Sequence, residues 1–252
     1  MILPSLLGWD IDQQSPTFLP FFVVLHLGTA AALFAFFWRE WLEVIKGFLR
    51  SLKTRSFKED EDGRLAWLLV AGTIPAGLVG FVFERSLAAN FARPLIAAIF
   101  LILNGIFLLV GERLRHRRTK SEESDLSFWQ AMVVGTSQVL ALIPGISRSG
   151  VTIVGGLASG LSAQTAARFS FLLATPIILA AGVLEIPKLI GFGTPQTVAI
   201  AIFGGVIAGV SAYGSTALLM VLFRRREVEA LEPFGYYCIG VGIIALLLLT
   251  VI

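Results

Sequence analysis

Arg148 stands in the stretch Ile143-Pro144-Gly145-Ile146-Ser147-Arg148-Ser149-Gly150-Val151-Thr152, where almost every residue type bears on one kind of chemistry. Pro144 and Gly145 stop a helix, three hydroxyls (Ser147, Ser149 and Thr152) crowd the guanidinium, and a new apolar run starts at once. A helix beginning there aims its first backbone N–H groups at the place that Arg148 reaches, an arrangement suited to an anion and above all to a phosphate. A guanidinium in lipid-compatible sequence is expensive, which argues for such a purpose. The bland alternative is a structural arginine that satisfies carbonyls of a broken helix.

The neighbours divide in the same way. Ser149 is as well suited to capping the second helix as to touching a ligand. Gly145 and Gly150 allow tight turns and close approach of backbone to phosphate, and Gln138 is placed to bridge the two arms of the broken segment. A nucleophilic serine needs an activating base, and none is visible. Within the apolar runs the only side chains of the Asp, Glu, His, Lys and Arg set are His26 and Arg148, so the sequence leads one to expect no buried carboxylate as base or metal ligand. His26 invites a general-base assignment, but a hydrogen bond of purely structural purpose is the better expectation.

Elements able to hold these residues follow from hydropathy. At 56% hydrophobic and 15% charged, with a mean hydropathy of +0.83, the 252 residues cannot cover a soluble globule. Apolar runs over 18–38, 65–83, 94–110, 169–184, 197–222 and 234–252 each approach the ~20 residues that cross a bilayer. The expectation is an all-α polytopic membrane protein, one integral domain over 1–252, with first-repeat spans in 18–110 and second-repeat spans in 169–252. The segment 128–161 between them is long enough to cross but broken in its middle. Lys and Arg are dense in 39–64, 111–127 and 223–233 and sparse in 84–93 and 185–196. That alternation survives only if 128–161 enters and returns on one side, so it reads as a re-entrant helical hairpin, with Lys120 and Arg225 cytoplasmic and Pro195 opposite.

Leu25 to Thr29 aligns by residue type with Phe171 to Thr175, and Gly72 to Phe81 with Gly204 to Tyr213. Three spans per half then imply an inverted repeat with a site near the midplane. The net charge of +3, carried in short loops, sets topology and gives no nucleic-acid footprint. Cys238, the only cysteine, excludes an internal disulfide. No signal peptide is recognisable after Met1.

The run from Ser137 to Thr152, followed by Phe169-Ser170-Phe171-Leu172-Leu173-Ala174-Thr175-Pro176, closely resembles the bacterial undecaprenyl-diphosphate phosphatase family, also known for bacitracin resistance. Leu6 to Trp9, Leu25 to Ala30 and Gly72 to Pro75 carry the likeness over nearly the whole chain. The resemblance implies a multi-pass protein of the bacterial inner membrane that removes the terminal phosphate of undecaprenyl diphosphate, regenerating the lipid carrier for wall polysaccharides. It implies Arg148, Ser147 and Thr152 as catalytic residues, a polyprenyl tail lying between helices, and Mg2+ or Ca2+ as cofactor; Ser149, Gly145, Gly150 and Gln138 are expected beside them as substrate-binding residues on the chemistry given above. A homodimer stays open. The family's glutamate-rich motif does not occur before Leu6, so no metal ligand is assigned, and the chain begun at Met1 is expected to bind the anion but turn over little. The rival readings are a polyprenyl-phosphate transporter or flippase and a catalytically inactive lipid-binding member.

Overall fold

The computed structural model describes residues 2–6, 15–54, 61–83, 93–117, 126–224 and 231–251. In chain order its helices are α1 (Ile2–Leu6), α2 (Phe18–Phe36), α3 (Trp38–Thr54), α4 (Glu61–Val82), α5 (Pro94–Arg117), α6 (Phe128–Ser137), a 3-10 turn (Gln138–Leu142), α7 (Arg148–Ser159), α8 (Ala163–Phe192), α9 (Pro195–Arg224) and α10 (Glu232–Val251). No strand occurs among the described residues. Six of these helices (α2, α4, α5, α8, α9 and α10) are long and apolar enough to cross a bilayer. A helix is what such sequence must form there, since it satisfies every backbone donor and acceptor without water.

The fold is organised around α8, whose stretch from Phe169 to Thr175 is buried throughout. Against it pack α2, α4 and α7. Small residues set the closest crossings. Gly28 of α2 meets the backbone of Gly205 in α9, and Gly105 of α5 meets Gly235 and Ile239 in α10. A Cβ at Gly28 would collide with the Gly205 carbonyl, so these pairs depend on glycine.

The broken segment is a helix pair laid between α4 and α5. Its first arm runs beside α4 in the same direction: Arg64 Nη2 donates to the Leu126 carbonyl (2.9 Å), Gly72 touches Gly135, and Gly80 lies against Leu142. Ser127 and Gln130 form a reciprocal capping box that starts α6. The second arm comes back along α5, with Gly145 against Ala97 and Leu101, Gly150 against Leu108, and Val154 against Gly111. It ends beside the beginning of the first, where Gln130 Nε2 donates to the Ser159 carbonyl (3.4 Å). Gly160, at φ 102°, closes α7 in the left-handed conformation that favours glycine.

Loop expectations fare worse than span expectations. Residues 39–64 contain α3, which covers the start of α4: Gly47 lies against Gly63, and Trp67 Nε1 donates to Ser51 Oγ (3.0 Å). The expected loop at 185–196 is helical as far as Phe192. α5, which runs to Arg117, and α8 both outrun their apolar windows, and so two buried carboxylates appear where none was expected. Glu112 accepts from the Leu231 N–H (2.6 Å), and Glu185 pairs with Lys188 (2.8 Å).

Candidate functional site

The side-chain cap of α7 is Ser147 rather than the Ser149 that the sequence offered for it: Ser147 Oγ accepts from the Gly150 N–H (3.2 Å), with Ser149 Oγ 3.4 Å away. The first bond of the helix is Val151 N–H to the Ser147 carbonyl (3.0 Å). The N–H groups of Arg148 and Ser149 precede it, and by helix geometry they have no carbonyl of their own to bond. The helix dipole adds partial positive charge at the same place.

Arg148 is half-buried there, and its Nη1 donates to the Ser170 carbonyl in α8 (3.4 Å). Thr152, one turn along, is fully buried, and its hydroxyl contacts the Arg148 carbonyl (2.8 Å), the Ser149 carbonyl (3.2 Å) and Ser170 Oγ. Arg148, Ser147, Ser149, Gly150 and Thr152 are thus brought together at one helix start, clamped to α8 through Ser170. Gly145 supplies the turn before it, at φ +97° and hard against the Ala97 carbonyl.

Gln138 is placed differently from expectation. It is 2% exposed, yet neither its amide nitrogen nor its amide oxygen has a hydrogen-bond partner, so it does not bridge the two arms. The arms are joined by steric fit, since a Cβ on Gly155 would fall on Ser137 Oγ, and by the Gln130 amide. Removing one partner of a buried polar group costs about 1–3 kcal/mol, and an amide unpaired within the protein carries a similar penalty until a ligand meets it. Thr175 Oγ1 in α8, 4% exposed, is likewise without a hydrogen-bond partner.

Sequence reasoning missed Ser170, Thr175 and Asn104. Asn104, 2% exposed in the middle of α5, accepts from the Ser147 N–H (3.0 Å) and donates toward Cys238 Sγ (3.5 Å). It therefore fixes the residue that starts α7, and with it the position of Arg148. An asparagine within an apolar run was the available signal. His26 stands apart: it is exposed on α2, with Nδ1 2.8 Å from the carbonyl of Phe22 in the same helix.

Among the described residues no three His, Cys, Asp or Glu side chains come together. Neither buried carboxylate reaches Arg148. At about 1.5 Å per residue, Glu112 lies about 12 Å along α5 from Asn104, and Glu185 about 22 Å along α8 from Ser170. The described residues around Arg148 therefore do not fit a divalent cation.

Known proteins match the chain over nearly its whole length. The chain is 48% identical over 249 residues to undecaprenyl-diphosphatase 2 of Chromobacterium violaceum, covering 98% of this chain and 89% of the relative. It is 47% identical over 246 residues to undecaprenyl-diphosphatase 2 of Burkholderia thailandensis (98% and 87%) and 46% identical over 259 residues to the undecaprenyl-diphosphatase of Acidiphilium cryptum (99% and 89%). The family model described as bacitracin resistance protein BacA matches residues 1–244. A match of that extent takes in the broken helix, its arginine and the helices that hold them, and the chain belongs to the BacA bacitracin resistance family.

Proposed function

We propose that this protein is a bacterial inner-membrane phosphatase that converts undecaprenyl diphosphate to undecaprenyl phosphate and inorganic phosphate, returning the lipid carrier to cell-wall synthesis. The observation that carries the reading is the start of α7, where the Arg148 guanidinium is tied to the Ser170 carbonyl of α8 beside a helix N-terminus capped by Ser147. Arg148 binds the terminal phosphate through paired charge-assisted hydrogen bonds and stabilises charge as the bridging P–O bond breaks. Ser147, Ser149 and the backbone at Gly145 and Gly150 orient the phosphate. Thr152 acts with Ser170 to keep the guanidinium in place, and the Gln138 amide reads the second phosphate. Mg2+ or Ca2+ belongs to this reading as the metal, and the described residues do not hold its ligands.

The same proposal places 128–161 as a re-entrant hairpin in a single domain of 1–252. Its support is the return of Ser159 to Gln130, together with the basic residues gathered at the ends where α2 finishes and α4 and α8 begin. The turn lies toward the other, Lys- and Arg-poor ends, so the site opens to the periplasm. An inverted repeat belongs to the same reading: α4 packs on α8 as α9 packs on α2, although the glycine contacts, Gly72 on Leu173 and Gly204 on Leu25, are two residues out of register with the aligned positions.

Purified protein given undecaprenyl diphosphate with Mg2+ or Ca2+ tests the function, with Arg148→Ala as the blank. Phosphate release that the variant lacks establishes the phosphatase. Arg148-dependent binding without release establishes the lipid-binding reading, and lipid movement across sealed vesicles the transporter. Cysteines at Lys120 and Arg225 are expected to label from one side and one at Pro195 from the other; opposite labelling of Lys120 and Arg225 means that the hairpin crosses.

Gln138→Leu gives a further expected result with two signs. Removing an amide unpaired in the ligand-free protein leaves thermal stability unchanged or raised, while affinity for the polyprenyl diphosphate falls roughly tenfold, the worth of about one hydrogen bond to a charged group. A variant that loses stability and keeps its affinity would show that the amide serves the fold alone.

A further inference from the structure

The sequence of α3 places Trp38, Leu42, Ile45, Leu49 and Leu52 at spacings of four and three, one stripe of a 3.6-residue helix. Every one of them is exposed, between 42% and 60%. The helix nevertheless has a packed face of its own, where Val44, Gly47 and Ser51 are buried. That face packs on the first turns of α4, with Gly47 against Asp62 and Gly63, and Trp67 Nε1 donating to Ser51 Oγ. Trp41, on the same side of α3, stacks on Phe34 of α2 (ring centroids 5.8 Å), so the exposed stripe faces away from both neighbouring helices. A further anchor of α3 is the ion pair between Glu40 and Arg168 Nε (2.8 Å).

Depth follows from the neighbouring span. α2 has 19 residues, about 28 Å of helix against a hydrocarbon core of about 30 Å, and ends at Phe36, with only Phe37 between it and Trp38. α3 therefore begins where the chain leaves the hydrocarbon. At 100° per residue, Lys53, Lys46, Arg39 and Arg50 follow one another along a single flank of the apolar stripe, all exposed. An apolar stripe with a basic flank, at the membrane boundary, has the form of a helix lying in the interface.

We infer that α3 is an in-plane anchor that buries its Trp38–Leu52 stripe at the headgroup boundary of the cytoplasmic leaflet and selects anionic phospholipid through its basic flank. The membrane-embedded chain supplies the continuity, and the lysines supply the charge complementarity. Trp38 sits at the junction, where an indole is favoured at the interface.

The test uses the whole protein in nanodiscs, with a bimane fluorophore on Leu49→Cys; Cys238 is buried and out of reach of the label. Phospholipids brominated on the acyl chain serve as quenchers, and iodide reports water. The expected result is strong quenching by lipid, weak quenching by iodide, and brominated phosphatidylglycerol outdoing brominated phosphatidylcholine at equal mole fraction. Lys46→Gln with Lys53→Gln should remove most of that preference, roughly fivefold in relative affinity per charge, while leaving quenching by phosphatidylcholine intact. Quenching by iodide instead of lipid puts the stripe in water, and quenching by neither puts it under another protein. Equal quenching by the two lipids removes the selectivity. Any of these three overturns the inference. A label at Ile45→Cys repeats the measurement if the first variant does not fold.

Discussion

Arg148→Lys is expected to lower turnover of undecaprenyl diphosphate by about 10²- to 10³-fold, the loss of about 2.7–4 kcal/mol seen when one preorganised donor to a developing oxyanion is removed. Lysine keeps the charge, but it loses the planar fork that can hold the Ser170 carbonyl and a phosphate together. Most of the loss should fall on kcat, because the charge that the fork stabilises develops only in the transition state. The check is phosphate release by the variant, with elution volume and thermal midpoint matched to the parent. Turnover within a few-fold of the parent would remove Arg148 from the chemistry.

Gly145→Ala should be the most damaging of the single-methyl substitutions in the hairpin. The residue sits at φ +97°, where an L side chain costs about 1–2 kcal/mol, and the added methyl would strike the Ala97 carbonyl of α5. Overpacking of that kind adds about 1–3 kcal/mol. The turn then has to leave α5, taking the Ser147 N–H away from Asn104 Oδ1, so activity and stability fall together. Gly240→Ala in α10 is the matched control: nothing lies within 4 Å of its added Cβ, and unfolding midpoints of the two variants in the same detergent should separate clearly. Equal midpoints would show that the turn yields at little cost.

Hydropathy made the six spans legible, because a bilayer imposes a length and a composition that few other contexts share. The break at Pro144 to Gly150 was legible because helix-stopping residues beside a charge have no ordinary reason to be there. Ser170 and Asn104 were hidden for the opposite reason: neutral polar side chains shift the average of an apolar run very little, and what matters is their partner across the fold. α3 was overlooked because charges cancel apolar residues in a running average. The spacing of Trp38, Leu42, Ile45, Leu49 and Leu52 was present all along, and counting it against a helical period would have found the helix. Glu112 and Glu185 read as loop residues because α5 and α8 continue past their apolar windows. Helix ends of that kind are set by tertiary partners, here the Leu231 N–H and Lys188.

The bond from Arg148 to the Ser170 carbonyl joins residues 22 apart in the chain, and this has a consequence for biogenesis. The ribosome delivers α4 and α5 before the hairpin, so the contacts of Gly72 with Gly135 and of Ala97 with Gly145 can form as the arms emerge. The carbonyl that receives the guanidinium does not yet exist at that moment. Until α8 is synthesised, Arg148 has to remain at the translocon or in a water-filled cavity, since lipid offers it no partner. Final seating of the hairpin is thereby tied to the arrival of α8, and a chain stalled before Ser170 leaves the arginine accessible to water-borne reagents.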